Sequence, residues 1–278
     1  MRARGHAVAR AAAAWITLIF PGVAAGGGPE VREVQASPWV DGAIAASTIG
    51  AVLTTELGAK DALAPATCRW CAPPGLDVSV RRALARRDTT PALAMSNVMA
   101  FVIVPLSTIG LDLVAASDEG VLRQTWWNDV LLILEAEGVS LALNQVAKYG
   151  LARERPFVHA RDAEGKARLA TNDDNLSFYS GHTAGSFTLA TAAGTIASMR
   201  GYRAAPLVWF AGLATASAAG YLRIAGDKHW FTDVAAGALV GGGVGFAIPW
   251  LFHRTRGTVT VGGAQVDGAR VVAVRGVF

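Results

Sequence analysis

A short polar stretch in the second half of the chain has the composition of an anion-binding turn. Ser180, Gly181 and His182 stand directly before an uncharged segment, residues 184–199, which we predict to be a helix. The first amides of a helix have no partner within it, and the helix dipole makes that end attractive to anions. We therefore expect these three residues to donate backbone amides to a phosphate oxygen, and Gly181 to permit its close approach.

Two further segments carry cations, a histidine and a carboxylate at informative spacings. Lys148 and Arg155 are two helical turns apart, so a continuous helix would place both on one side. Arg223 is followed by His229 and Asp233. At i and i+4 of a helix, Asp233 would accept a hydrogen bond from Nδ1–H of His229 and leave Nε2 free to attack. The three cations suit a phosphate dianion, since arginine offers a planar fork and lysine a point charge.

Together the three segments resemble the signature of the type 2 phosphatidic acid phosphatase (PAP2) superfamily. That superfamily also contains bacterial non-specific acid phosphatases and vanadium haloperoxidases. The matching residues are Lys148, Arg155, Pro156, Ser180, Gly181, His182, Arg223, His229 and Asp233. The sequence departs from the pattern at Tyr179, where the family usually has Pro, and at Leu222, where it usually has Ser. Neither position carries the expected chemistry, so the departures concern the subfamily more than the activity.

The candidate residues divide the steps of phosphate ester cleavage among them, and the resemblance implies the same division. We predict that His229 is the nucleophile, oriented by Asp233, and that His182 is the general acid for the leaving oxygen. His182 would then act as the base that activates water against the phosphohistidine. The residues expected to bind the phosphate are Lys148, Arg155, Ser180, Gly181 and Arg223.

No cofactor and no metal are expected, because three cations and helix amides already supply the positive charge that Mg²⁺ would bring. The five histidines are dispersed and form no His-x-x-x-His pair, so the sequence indicates no metal centre. Vanadate is expected as an inhibitor, and as a cofactor only if the protein is a haloperoxidase. The remaining basic residues near the motifs, among them Arg153, Lys228 and His159, are assigned to loops.

The composition indicates a membrane protein, since 52% of the 278 residues are hydrophobic and only 17% are charged. The net charge of +4 is small and scattered, which argues against nucleic acid as a partner. Residues 1–25 combine arginines with an apolar run and a small-residue site, which is typical of a signal peptide. An uncleaved anchor is the alternative. Residues 26–38 follow as a linker.

We predict an all-α fold, a membrane-embedded bundle of about six helices over residues 39–257, which form the PAP2-like phosphatase domain. The uncharged or nearly uncharged runs are 39–57, 92–111, 128–147, 184–199, 204–222 and 234–252. The first is short, and whether it spans stays open. Glu135 and Glu137 lie in the third run and are assigned a structural role between helices. If the later runs cross the membrane, all the motif residues emerge at one face.

Two features lie outside the motifs. Cys68 and Cys71 stand in a proline-rich loop, and in an exported chain we expect them to form a local disulfide, because a redox enzyme would need a βαβ context. The tail, residues 258–278, alternates around a Gly-Gly pair and is interpreted as a short β-hairpin without an assigned function.

These observations predict an exported phosphatase of the inner membrane whose active site faces the periplasm or exterior. Its substrate would be a lipid phosphate or diphosphate of the phosphatidate or isoprenyl diphosphate type, so the expected partners are that lipid, or a small phosphoester, and the membrane. Three alternatives stay open: a soluble periplasmic acid phosphatase, a vanadium-dependent haloperoxidase, and a non-catalytic membrane scaffold or lipid binder.

Overall fold

The computed structural model describes residues 31–254, 259–266 and 269–276, and most of these lie in helices. Five helical stretches within them are long and apolar enough to cross a membrane: Pro38–Leu63, Thr90–Asp118, Leu122–Leu151, Ala205–Ala225 and Phe231–His253. Large apolar side chains such as Phe101, Phe210 and Leu239 point outward from them, as a lipid-facing surface requires. The predicted all-α membrane bundle is confirmed, and this surface does not fit the soluble alternative.

The α-helices follow one another closely along the chain. They are α1 (Pro38–Thr54), α2 (Lys60–Leu63), α3 (Gly75–Leu84), α4 (Thr90–Val98), α5 (Leu111–Asp118), α6 (Leu122–Leu151), α7 (Pro156–His159), α8 (Ala163–Arg168), α9 (Gly181–Arg200), α10 (Ala205–Ala225) and α11 (Phe231–Ile248). The π-helical stretches are Thr55–Ala59, Met99–Ile103, Leu106–Gly110 and Pro249–His253. The predicted run 39–57 is thus part of one continuous helical stretch, and the run 92–111 passes Pro105 without ending.

Helix α9 occupies the centre of the bundle and packs against α6, α10 and α11. Its contact with α11 is close because glycines line the facing side of α11. A side chain at Gly241 would collide with the backbone carbonyl of Ala184, and one at Gly237 would lie 2.8 Å from the carbonyl of Ser180. This small-residue packing fixes the beginning of α9 against the beginning of α11, where two of the three motifs lie.

Helix α1 and its continuation lie alongside α6 in the same direction. Near its start Asp41 approaches Glu135 of α6, and near its end Glu56 accepts a hydrogen bond from Gln145 Nε2 at 2.8 Å. The chain before α1 is held as well: the amide of Gln35 donates to the carbonyl of His253 at 2.9 Å. Part of the predicted linker 26–38 is therefore fixed against the bundle, whereas the predicted signal peptide, residues 1–25, lies outside the described residues.

The tail forms the two strands that the sequence predicted. β1 (Val259–Val266) and β2 (Ala269–Gly276) pair antiparallel, with Val259 opposite Gly276 and Val266 opposite Ala269. Between the first and second long helices, the segment that contains α3 lies at the end of the bundle where the motifs meet. It contributes to the site described next.

Candidate active site

The predicted site residues meet at one end of the bundle, where α6 ends and α9 and α11 begin. Nε2 of His229 lies 3.3 Å from Nη1 of Arg155, and the amide of His229 donates to the carbonyl of Arg223 at 3.3 Å. A Cβ placed on Gly181 would lie 3.5 Å from Nζ of Lys148. Three segments that are far apart in the sequence therefore contribute to one site.

The N-terminus of α9 forms the anion-binding side of this site, with one change from the sequence prediction. Ser180 is the N-cap, and its hydroxyl accepts from the amide of Thr183 at 3.4 Å. The amide of Ser180 donates to the carbonyl of Asp233 at 3.1 Å, so this amide joins α9 to α11 and is not free for an anion as the sequence predicted. The amides of Gly181 and His182 have no hydrogen-bond partner among the described residues, and they remain available to an anion.

Asn144 on α6 supports this turn and was not found from the sequence. Its Nδ2 donates to the carbonyl of Tyr179 at 2.7 Å, and it is almost fully buried. A Cβ on Gly181 would lie only 2.8 Å from Oδ1 of Asn144, so a larger residue here would displace the Asn144 side chain. The contact sets the distance between the turn and Lys148, which is one helical turn beyond Asn144 on α6.

Arg155 is buried and is held by the loop that precedes α9. Its Nε donates to the carbonyl of Asp173 at 2.8 Å, its Nη2 to Oδ1 of the same residue at 2.9 Å, and its Nη1 to the carbonyl of Lys228 at 2.9 Å. Burial alone would raise the pKa of Asp173, but Arg155, Lys60 and Lys228 outweigh it and hold that pKa below its ordinary value. The loop that precedes α9 thus places an ionised carboxylate beside the arginine that is predicted to bind phosphate.

Helix α4 forms the opposite wall of the site, which the sequence did not indicate. Nη1 of Arg223 donates to Oγ of Ser96 at 3.0 Å, while its Nε has no hydrogen-bond partner in the described part of the chain. Nε2 of His182 lies 2.8 Å from Oδ1 of the next residue, Asn97. The ring of Phe101 contacts His182 edge-on at 5.1 Å between centroids. Arg223 and His182 therefore contact consecutive residues of α4, Ser96 and Asn97.

Burial and the cations keep both histidines neutral when no anion is bound. Burial, followed by Arg223, Lys148 and Arg155, lowers the pKa of His182 to about 3. Burial, followed by Arg155 and Arg223, lowers the pKa of His229 well below its ordinary value. A phosphate dianion between these groups would shift both pKa values upward, since it adds negative charge beside them.

The contact predicted between His229 and Asp233 is wrong. Nδ1 of His229 lies 2.8 Å from the carbonyl oxygen of Ser177 but 3.7 Å from Oδ2 of Asp233. The reason is that α11 has Trp230 as its N-cap, so His229 lies before the helix and does not share an i, i+4 face with Asp233. Asp233 Oδ2 instead accepts from the Ser177 hydroxyl at 2.6 Å and the Trp230 amide at 2.9 Å. Donation from Nδ1–H to the carbonyl still leaves Nε2 unprotonated and facing Arg155.

Arg153, which the sequence assigned to a loop, is instead 1% exposed and holds the site together. Its guanidinium donates to Asp233, to Oδ2 of Asp77 on α3 at 2.5 Å and to Oγ1 of Thr232 at 2.8 Å. It also lies over the ring of Trp70 at 3.8 Å. The two carboxylates compensate the buried charge, so Arg153 joins α3 to the start of α11.

The loop before α3 carries the two cysteines, and they are joined by a disulfide. Trp70 lies between them in the sequence. Its carbonyl accepts from the amide of Glu154 at 3.1 Å, which places its ring against Arg153. The short disulfide loop is therefore part of the structure that supports the site from outside the bundle.

The comparisons agree with the motifs. The model of the PAP2 superfamily matches residues 129–256, a range that contains every motif residue. The predicted resemblance is confirmed, and the match supports a phosphatase. No curated protein matches the chain.

One solved structure to which the chain is similar is described as the crystal structure of the first transmembrane PAP2 type phosphatidylglycerolphosphate phosphatase from Bacillus subtilis. It shares 17% sequence identity with this chain, the alignment covers 76% of this chain and 94% of that one, and the TM-score is 0.46. A likeness at this level carries no argument about activity.

Proposed function

We propose that the protein is a membrane phosphatase that hydrolyses a phosphomonoester or diphosphate of a lipid through a phosphohistidine on His229. The observation that carries this proposal is the setting of His229: Nδ1 is held by the Ser177 carbonyl, and Nε2 is 3.3 Å from Arg155. A neutral imidazole fixed in this way presents its lone pair toward the place where the cations would hold phosphorus. The match to the PAP2 superfamily model supports the same class of reaction.

The reaction requires two displacements at phosphorus. Arg155, Arg223 and Lys148 neutralise the phosphate, and the amides at the start of α9 bind its oxygens. In the first step Nε2 of His229 forms a bond to phosphorus as the bond to the leaving oxygen breaks, and His182 gives that oxygen a proton. In the second step His182 takes a proton from water, which displaces His229 and releases inorganic phosphate.

A lipid substrate is favoured by the position of Phe101. This side chain is 70% exposed on the apolar surface of the stretch Thr90–Asp118, and its ring contacts His182. An acyl or isoprenyl chain lying along this surface would bring its phosphate directly to the proposed general acid. Activity of the purified protein on lipid phosphates and isoprenyl diphosphates should therefore exceed that on soluble esters, and a preference for soluble esters would contradict this assignment.

The roles of the two histidines are tested by pairing two variants with two substrates. An acid matters most for a poor leaving group, so His182→Ala should abolish hydrolysis of an alkyl phosphate but retain a first turnover of nitrophenyl phosphate. His229→Ala should eliminate both. In His182→Ala, water attack also slows, and acid-quenched samples should contain an acid-labile phosphohistidine.

Two controls belong to this experiment. His159→Gln changes a histidine that pairs with Glu154 at 3.0 Å outside the proposed site, and it should behave like the wild type on both substrates. Equal losses on both substrates in both histidine variants, with no labelled intermediate, would show that the roles are wrong.

The active site is proposed to use no metal in the reaction, because the cations provide the positive charge. Brief chelation by EDTA should leave turnover at 25 °C unchanged, and vanadate should bind more tightly than phosphate as a mimic of the trigonal-bipyramidal transition state. Loss of turnover on brief chelation, restored by Mg²⁺, would overturn the metal-free mechanism.

We also propose that the active site faces the periplasm or exterior. Arg203 and Arg254 lie at the opposite end of the bundle, in agreement with the positive-inside tendency. Cys68 and Cys71 are bonded to each other, so a cysteine introduced by Gly165→Cys in the loop near the site would be the reactive thiol. An impermeant reagent should label it in intact inner membranes. Labelling only after permeabilisation would reverse the orientation.

A further inference from the structure

Three buried side chains with metal-binding atoms meet at the end of the bundle far from the proposed active site. Asp41 is in the first turn of α1, Glu135 lies within α6, and His253 ends the π-helical stretch after α11. One ligand atom from each lies within 4.8 Å of the other two, and the residues are 4%, 4% and 6% exposed. We propose that they bind a divalent metal ion and that this ion is Zn²⁺. We call the three residues the DEH cluster.

The hydrogen bond at Nδ1 of His253 determines the tautomer of its ring. Its Nδ1 lies 2.9 Å from the carbonyl oxygen of Gln35, which can only accept, so Nδ1 carries the hydrogen. Nε2 then points its lone pair at Oε2 of Glu135, 3.1 Å away. Neither atom has a hydrogen-bond partner among the described residues. Two lone pairs that face each other need a cation, and a metal-binding histidine usually donates its other ring N–H to a carbonyl or a carboxylate, as Nδ1 does here.

The buried negative charge of Asp41 favours a metal ion over a proton at this place. A proton shared by His253 and Glu135 would satisfy those two residues but leave the cluster with a net charge of −1, on an Asp41 carboxylate whose Oδ2 accepts one hydrogen bond, from the Ser37 amide at 2.7 Å. No Lys or Arg forms an ion pair with Asp41 or Glu135 in the described part of the chain. A divalent cation with a neutral imidazole and two carboxylates makes the DEH cluster neutral, which burial favours.

The ligand set selects the kind of ion. One imidazole nitrogen with two carboxylate oxygens suits zinc, which binds these atoms at about 2.0–2.2 Å and can complete its coordination with water. A separation of 3.1 Å between Nε2 and Oε2 is short enough for both to contact one such ion. Mg²⁺ is disfavoured because it prefers oxygen ligands and retains its waters.

A metal ion bound by the DEH cluster would stabilise the folded bundle and take no part in catalysis. The DEH cluster joins α1, α6 and the end of α11, beside the place where Val34 pairs with Arg254 and the amide of Gln35 donates to the carbonyl of His253. Glu135 and Lys148 are thirteen residues apart on α6, which corresponds to about 20 Å. The DEH cluster is therefore remote from the proposed phosphatase site, and metal binding there does not depend on the phosphatase reaction.

The test measures zinc binding by the purified full-length protein in detergent. After dialysis against EDTA and then ZnSO₄, elemental analysis should find one zinc per chain, and zinc should raise the melting temperature where Mg²⁺ does not. Asp41→Asn, Glu135→Gln and His253→Gln should each weaken zinc binding at least tenfold. His159→Gln, which changes another His–Glu pair, should bind zinc as the wild type does.

The wild-type titration decides the question even if a variant fails to fold. No zinc in the wild type at a tenfold excess, or full zinc binding by both Asp41→Asn and His253→Gln, would overturn the proposal. Phosphatase turnover at 25 °C is measured on the same samples. It should be the same with and without zinc, so failure of the metal site is distinguishable from failure of the proposed function.

Discussion

Two buried arginines at opposite ends of the helical bundle, Arg200 and Arg223, differ in the partners of their guanidinium groups. At the end opposite the active site, Nε and Nη2 of Arg200 both donate to Oδ1 of Asp129, at 2.9 and 2.5 Å, and the Tyr202 hydroxyl donates to Oδ2 at 3.0 Å. At the active end, Arg223 is also buried, but its described side-chain bond goes to the neutral hydroxyl of Ser96. Arg200, which is compensated by a carboxylate, stabilises the fold, whereas Arg223, which has no carboxylate partner among the described residues, suits an anionic ligand.

Replacing each of these two arginines by methionine gives the largest expected effect. Arg223→Met should lower kcat/KM by about 10³-fold, as loss of a transition-state cation does, and leave the melting temperature unchanged or higher. Arg200→Met leaves the charge of Asp129 buried and unpaired, which should cost about 3–5 kcal/mol of unfolding free energy. The folded fraction of Arg200→Met should retain kcat/KM. A loss of stability in Arg223→Met with normal catalysis would show that Arg223 stabilises the fold as Arg200 does.

The paired charges on α3 provide a second comparison, within the active end itself. Asp77→Ala removes the acceptor of Arg153 and of the Thr232 amide, and we expect it to cost about 3 kcal/mol because a buried ion pair is broken. Arg81, on the same helix as Asp77, donates two hydrogen bonds to Asp227 at 2.7 Å, but its side chain is 31% exposed, so Arg81→Ala should cost less than Asp77→Ala. Chemical denaturation measures both. Equal costs would show that burial does not determine the strength of these pairs.

The excess of cations at the active end also predicts the pH dependence. Because the pKa of His182 is lowered to about 3 and that of His229 is also lowered, both are neutral in the free enzyme at pH 5–8. The proton for the leaving oxygen must then enter with the substrate. As pH rises through the second pKa of the phosphate, about 6, kcat/KM should fall about tenfold per unit.

A comparison of two substrates tests the cause of this descending limb, the fall in kcat/KM as the pH rises. An ester whose second phosphate pKa is one unit lower should shift the limb about one unit toward acid. A limb at the same pH for both esters would mean that an enzyme group titrates there, and that the cations do not depress the histidines.

The smallest expected effect concerns the carboxylate that partly compensates the active end. Asp173→Asn removes a charge that repels phosphate near Arg155, so inorganic phosphate should bind roughly threefold to tenfold more tightly, with little change in kcat. Asp162→Asn, in the same loop at the N-cap of α8, is the matched control and should have no effect. Weaker phosphate binding by Asp173→Asn would show that its hydrogen bonds to Arg155 matter more than its charge.

The sequence by itself determined the class of fold and the membership of the site. Uncharged runs of crossing length predict membrane helices because an apolar segment in lipid must satisfy its own backbone hydrogen bonds. When such helices alternate in direction, residues at their ends return to the same face. Lys148, His182 and His229 could therefore be assigned to one site without any knowledge of contacts.

Tertiary structure alone decided how the charged side chains are paired. His229 lies one residue before the N-cap of α11, and this shift replaces the predicted bond to Asp233 by one to the Ser177 carbonyl. Arg153 gave no periodic signal, since its partner Asp77 lies on another element. The DEH cluster was missed for the same reason, because its three ligands come from separate helices. Periodicity reports neighbours along one helix, whereas the partner of a buried charge is set by which helices pack together.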